Sequence, residues 1–89
     1  MPINIIDHAR ERMLERGASE DEVKITLEEG TPSEAKSGRK AKEKILAYDG
    51  FWQGQRYPQK KVRVIYVEEG DELVVLTVYV YYGRWEDSL

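Results

Sequence analysis

The single histidine of this chain lies in the run Asp7-His8-Ala9-Arg10-Glu11-Arg12-Met13-Leu14-Glu15-Arg16-Gly17. His8, Arg12 and Arg16 recur every four residues, so a helix stacks them along one face. Imidazole exchanges protons near neutral pH and can act as a general base or acid. Guanidinium is a permanent cation whose planar donor fork suits phosphate oxygens. Together they suit metal-free cleavage of RNA. The base takes the 2′-OH proton and the cations stabilise charge growing on phosphorus. The competing explanation is structural: a helix-start histidine in a hydrogen bond, with the arginines paired to Glu11, Glu15 or a second helix.

A second set of candidates lies further on. Lys44 and Tyr48 share one face of a strand, and Thr77, Tyr79 and Tyr81 share one face of another. With Arg63 they would hold a phosphodiester if the two faces coincide, which depends on register. Otherwise the tyrosines finish a half-buried sheet with their hydroxyls at its rim. Trp52, Arg56 and Tyr57 could stack on bases, but packing over the sheet or a dimer contact is the more common use of such a group.

Charge is unevenly spread. Residues 1–35 carry −5, residues 36–63 carry +7 and residues 64–89 carry −5, within a net charge of −3. The basic middle (Lys36, Arg39, Lys40, Lys42, Lys44, Arg56, Lys60, Lys61 and Arg63) reads as a local anion-binding surface. Lys42, Lys61 and Arg63 join Arg16 there as candidate phosphate ligands. A solubilising, lysine-guarded hairpin would show the same composition.

Two helices and a set of strands must position these groups. Asp7 is placed to cap a first helix over 8–16, with Ala9, Met13 and Leu14 inward and Gly17 as its stop. Ser19-Glu20-Asp21-Glu22 matches a capping box for a second helix, which Gly30 and Pro32 end. Ile3, Ile5 and Ile6 suit a short lead-in strand. Residues 33–41 read as a loop with a short strand at its start. Strands follow over Lys44–Asp49, Lys61–Glu68 and Leu73–Tyr82, with Gly50–Gln59 as a long hairpin loop. The last strand is apolar on both faces, which places it inside the sheet or at a subunit contact. Helices grouped before strands predict an α+β domain: two N-terminal helices on a three- to four-stranded antiparallel sheet. The 89 residues make one domain, with a core over 5–82 and a tail over 83–89.

Composition excludes several classes. With no cysteine and one histidine, disulfides and cysteine metal sites are out of reach, and no metal or cofactor is expected. No run of ~20 apolar residues could span a bilayer, so a cytoplasmic protein with no membrane partner is expected. Gly-rich phosphate loops and serine nucleophile elbows are absent.

The opening His8-Ala9, Arg12-Met13 and Arg16-Gly17, the capped Ser-x-x-Glu-Val helix ending at Gly30, and the strands Val62–Tyr66 and Val74–Tyr79 resemble a known family. It is domain-of-unknown-function family 4258, small prokaryotic proteins, over about residues 5–80. That family has been grouped with the RelE/ParE-like toxin and barnase-like ribonuclease fold. The resemblance implies a metal-independent endoribonuclease of toxin–antitoxin type, with RNA as substrate and an antitoxin as partner. It implies His8 and the arginines as site residues; joined by the strand residues Lys44 and Tyr79, His8 and Arg12 make up the catalytic candidates. The alternative is a non-enzymatic nucleic-acid- or protein-binding module that keeps the fold, for example a homodimer built through the Leu73–Tyr82 strand.

Overall fold

The chain passes from strand to helix within one residue. The Ile6 N–H still donates to the Val75 carbonyl at 3.3 Å, as part of the sheet, while Ile6 is already the N-cap of the first helix. Asp7 is therefore the first helical residue and not the cap, and no side chain caps this end. Its carboxylate still favours the helix N-terminus through the macrodipole. The computed structural model describes residues 1–85. Its elements are β1 (Ile3–Ile5), α1 (Asp7–Arg16), α2 (Glu20–Glu29), β2 (Thr31–Glu34), β3 (Lys40–Trp52), β4 (Gln55–Glu69) and β5 (Glu72–Gly83). Of the expected tail, residues 86–89 lie outside the described residues.

Gly17 ends α1 in the left-handed region at φ +83°, where its N–H and that of Ala18 both reach the Met13 carbonyl at 2.9 Å. The capping box of α2 forms as its sequence predicts. Ser19 Oγ accepts from Glu22 N at 3.1 Å, and Glu22 Oε1 accepts from Ser19 N at 2.9 Å. Ala9 and Met13 of α1 and Val23, Thr26 and Leu27 of α2 are buried. Leu14 is not: next to Met13 it turns about 100° away and stands 85% exposed, a correction to the inward placement.

The domain is α+β, with a mixed sheet in the order β1-β5-β4-β3-β2. Five strands replace the expected three or four, and the sheet is not wholly antiparallel. β1 runs parallel to β5, pairing Ile3–Ile5 with Leu73–Val75. The segment between them supplies the crossover that a parallel pair needs. The expected lead-in strand and the short strand near residue 33 form as β1 and β2, but with three and four residues they carry no signal of which strands they pair with. The expectation that β5 is interior holds at Leu73–Val75, between β1 and β4.

The expected loop over Gly50–Gln59 is instead strand on both arms. Gln53 and Gly54, at φ +50° and +82°, make the two-residue turn with the backbone hand that hairpins favour. Pro58, which lacks an N–H, falls where the register slips between the Ala47 and Gly50 rungs. The hairpin aromatics pack. Trp52 stacks on Tyr82 at 4.7 Å, and Tyr48 and Tyr57 lie 5.2 and 5.7 Å from the same ring. The Tyr82 hydroxyl donates to the Arg16 carbonyl at 2.8 Å, tying this cluster to the end of α1. Burial, then Tyr48, then Glu22 push the Tyr82 phenol up to about 12. Its neutral form is thus the one the fold favours. That contribution is complete below the ordinary phenol value of ~10 and is lost as pH rises through the folded value.

Pairing assigns the sheet faces. Lys44–Val62–Val80 and Lys42–Val64–Val78 form rows on one face. Val62, Val64, Tyr66, Val75 and Val78 pack there with Ala9, Met13, Val23 and Leu27 in one core cluster. Glu43–Arg63–Tyr79 and Ile45–Lys61–Tyr81 form rows on the opposite face.

Candidate functional site

Past Val75, β1 no longer pairs with β5, and α1 packs beside the strand. Arg16 reaches across and donates to the Val78 carbonyl at 2.8 Å. Its guanidinium also lies 4.8 Å from the centroid of the Tyr79 ring. One arginine therefore satisfies an edge carbonyl and fixes the aromatic ring beside it. The His8–Arg12–Arg16 face of α1 and this stretch of β5 enclose a cleft of about 380 Å³, lined also by Ile6, Arg39, Leu76, Thr77 and Tyr79.

This cleft unites His8, Arg12, Arg16 and Tyr79, residues separated by more than sixty positions. His8 is exposed and Tyr79 is 39% exposed. Neither imidazole nor phenol makes a hydrogen bond to a described residue. Arg12 is held by Glu15, with NH1 at 2.9 Å from both carboxylate oxygens. That pair is solvent-facing, so it costs little to open toward a stronger anion.

Lys44 is not in this cleft. One rung of register decides it: Lys44 stands in the row of Val62 and Val80, while Tyr79 stands in the row of Glu43 and Arg63. Lys44 is 3.4 Å from Glu29 at the end of α2 and lines a separate cleft with Glu43, Lys61 and Trp85. Lys42 lies on the same helix-covered face, where its Nζ donates to the Leu27 carbonyl at 2.7 Å, a favourable cation at a helix C-terminus. Arg63 does lie on the Tyr79 face. It is bound to Glu43 Oε1 and Ser33 Oγ, both at 2.8 Å, and to the Glu34 carbonyl at 3.3 Å. Lys61 faces the other oxygen of Glu43 at 3.4 Å.

The basic middle is thus largely committed to the fold. Lys40 meets Glu68, Arg56 meets Asp49, and Lys60 meets Glu22. Lys36 and Arg39 remain. Among the described residues their side chains meet no carboxylate, and they flank the turn Ser37-Gly38, at φ +63° and +71°. This turn carries Arg39 to the rim of the His8 cleft. Sequence reasoning counted Arg39 in the basic segment without singling it out. The signal was present as Lys36-Ser37-Gly38-Arg39, a turn tip with a cation on each side.

The helical run that supplies the cleft falls within a stretch, residues 5–80, that matches the family described as domain of unknown function (DUF4258). The chain belongs to DUF4258. The match takes in His8, Arg12, Arg16, Arg39 and Tyr79, so the whole cleft lies inside the DUF4258 domain. No curated protein and no solved structure matches the chain. Among the described residues no helix is long and apolar enough to cross a membrane.

Proposed function

We propose that this DUF4258 domain is a RelE/ParE-like, metal-independent endoribonuclease that works in the cleft between α1 and β5. The carrying observation is the convergence of one exposed imidazole, three arginines and one phenol on a single cleft of an otherwise acidic protein. His8 takes the 2′-OH proton. The 2′-oxygen attacks phosphorus, and Arg12 and Arg16 stabilise the added negative charge. The bond from phosphorus to the 5′-oxygen breaks, and the Tyr79 hydroxyl supplies that oxygen's proton. The products are a 2′,3′-cyclic phosphate and a 5′-hydroxyl. Lys44, Lys42, Lys61 and Arg63 hold the scaffold in this account.

The alternative of self-assembly through β5 has less support. Strand addition at Val78 would have to displace Arg16 from the carbonyl it already satisfies. Incubation of the purified protein with a mixed-sequence single-stranded RNA in excess EDTA tests the enzymatic reading. Fragments ending in cyclic phosphate are the expected result. Intact RNA, or cleavage that chelation abolishes, overturns it.

A further inference from the structure

The His8 cleft opens beside a second one on the sheet face away from the helices. The second is about 660 Å³ and is lined by Lys36, Arg39, Arg63, Ile65, Tyr79 and Tyr81 among others. The two share Arg39, Thr77 and Tyr79. They are thus two halves of one groove, which crosses from the edge of β5 onto its face. Cations line its whole length: Arg12, Arg16, Arg39, Lys36 and Arg63, of which Arg12 and Arg63 are paired to Glu15 and Glu43, and Glu34 is the carboxylate in the lining. Lys36 sits in the half that a single bound phosphate at His8 would leave empty and Arg39 where the two halves meet; neither meets a carboxylate among the described residues.

The second half also carries an aromatic surface. Tyr79 and Tyr81 are 39% and 48% exposed, and they stand two residues apart on one strand face. That spacing is about 6.6–6.8 Å. It is about twice the ~3.4 Å rise of stacked bases, which leaves room for one flat base between them. Arg16 already covers the Tyr79 ring at 4.8 Å. A free base edge is needed to enter such a site, and a base held in a duplex does not offer one.

We infer that this second cleft is a subsite for the neighbouring nucleotide of a single-stranded RNA, with Tyr81 as the stacking platform and Arg39 as the ligand of the next phosphate. This rests on the ribonuclease reading for which phosphate is cut, and it adds the class of substrate: an oligonucleotide strand, not a mononucleotide or a duplex. Arg39 bridges the two halves and sets the step from one phosphate to the next.

Fluorescence polarisation with oligomers that lack the 2′-hydroxyl tests binding apart from cleavage. The probes are a labelled single-stranded DNA hexamer, the same sequence closed in a duplex, and uridine monophosphate as competitor. The hexamer is expected to bind at least tenfold more tightly than the duplex, with the mononucleotide a poor competitor. Tyr81→Leu should weaken the hexamer roughly tenfold, as loss of one base stack does. Arg39→Gln should weaken it and lower the salt slope by about one. Both positions are exposed, and matching melting curves would show that the variants are folded. Equal affinity for single strand and duplex, or wild-type affinity in both variants, overturns the subsite. If no RNA is cut but single-strand binding depends on Tyr81 and Arg39, the subsite stands and the cleavage reading falls. If RNA is cut through His8 while both variants bind as wild type, the subsite falls alone.

Discussion

Replacing His8 with alanine lowers the rate of RNA cleavage by about 10²–10⁴-fold, the usual contribution of a positioned proton-transfer group. The fold should not change. His8 is exposed on the first turn of α1, it makes no hydrogen bond to a described residue, and the buried residues of that helix are Ala9 and Met13. The melting temperature should stay within a degree or two of wild type, and the affinity for a non-cleavable single strand should stay within about threefold. Arg16→Ala behaves differently. It removes an anion ligand, which costs about 10²–10³-fold in rate, and it also frees the Val78 carbonyl and the Tyr79 ring. Rate and stability fall together there. Single-turnover kinetics beside thermal melts separate the two variants. A His8→Ala protein that cleaves at the wild-type rate rules the imidazole out of the chemistry.

Replacing Lys60 with methionine has the largest expected effect on stability. Its Nζ lies 2.7 Å from Glu22 Oε1 and 2.8 Å from the Gly17 carbonyl, and 5.2 Å from the centre of the Tyr48 ring. The Lys60 side chain is 5% exposed and that of Glu22 is 25%. One cation thereby joins the sheet to the α1–α2 turn and completes the capping box, since the same Glu22 oxygen accepts from Ser19. Removing one partner of a fully buried pair costs about 3–5 kcal/mol. Glu22 keeps some water, so about 2–3 kcal/mol is expected here. In a domain of this size that lowers the melting temperature by about 10–20 °C. Lys60→Met with Glu22→Gln should recover part of the loss, because no buried charge is left unpaired. Circular-dichroism melts of the three proteins decide it. A single variant that melts within 3 °C of wild type shows that the pair is dispensable.

Lys60 also shows why part of the site was legible in the sequence and part was not. The helical period placed His8, Arg12 and Arg16 on one face without any tertiary knowledge, because a spacing of four is a local property. The capping box and Gly17 bounded the helices for the same reason. Composition alone could not say which cations of the middle segment were free. Lys42, Lys44 and Lys60 share a face with Leu46, Val62 and Val64, on strands whose other face carries Arg63 and Lys61, and which face the helices cover is a matter of register. The covered face took the three lysines and spent them on helix C-termini and carboxylates. Tyr79 fell on the other face, and it met the α1 arginines only because α1 lies at the edge of β5 and not wholly on the core side. That meeting depends on β1, three residues long, pairing parallel to β5 and carrying α1 there. The isoleucines of β1 were legible as a short strand, but the partner it pairs with, some seventy residues away, was not. Arg39 was hidden differently: its role comes from a turn whose left-handed residues, Ser37 and Gly38, fold the tip back toward the cleft.

The most direct test of the central claim is a map of where a phosphodiester strand binds. Proton–nitrogen and aromatic NMR spectra would be recorded during titration with a single-stranded oligomer lacking the 2′-hydroxyl. The account predicts that the His8 imidazole, the Arg12, Arg16 and Arg39 guanidinium signals and the Tyr79 and Tyr81 rings shift together and saturably, while signals at Lys44, Glu29 and Trp85 stay in place. Shifts centred on the Lys44 cleft, with His8 and Tyr79 unmoved at saturation, would contradict it.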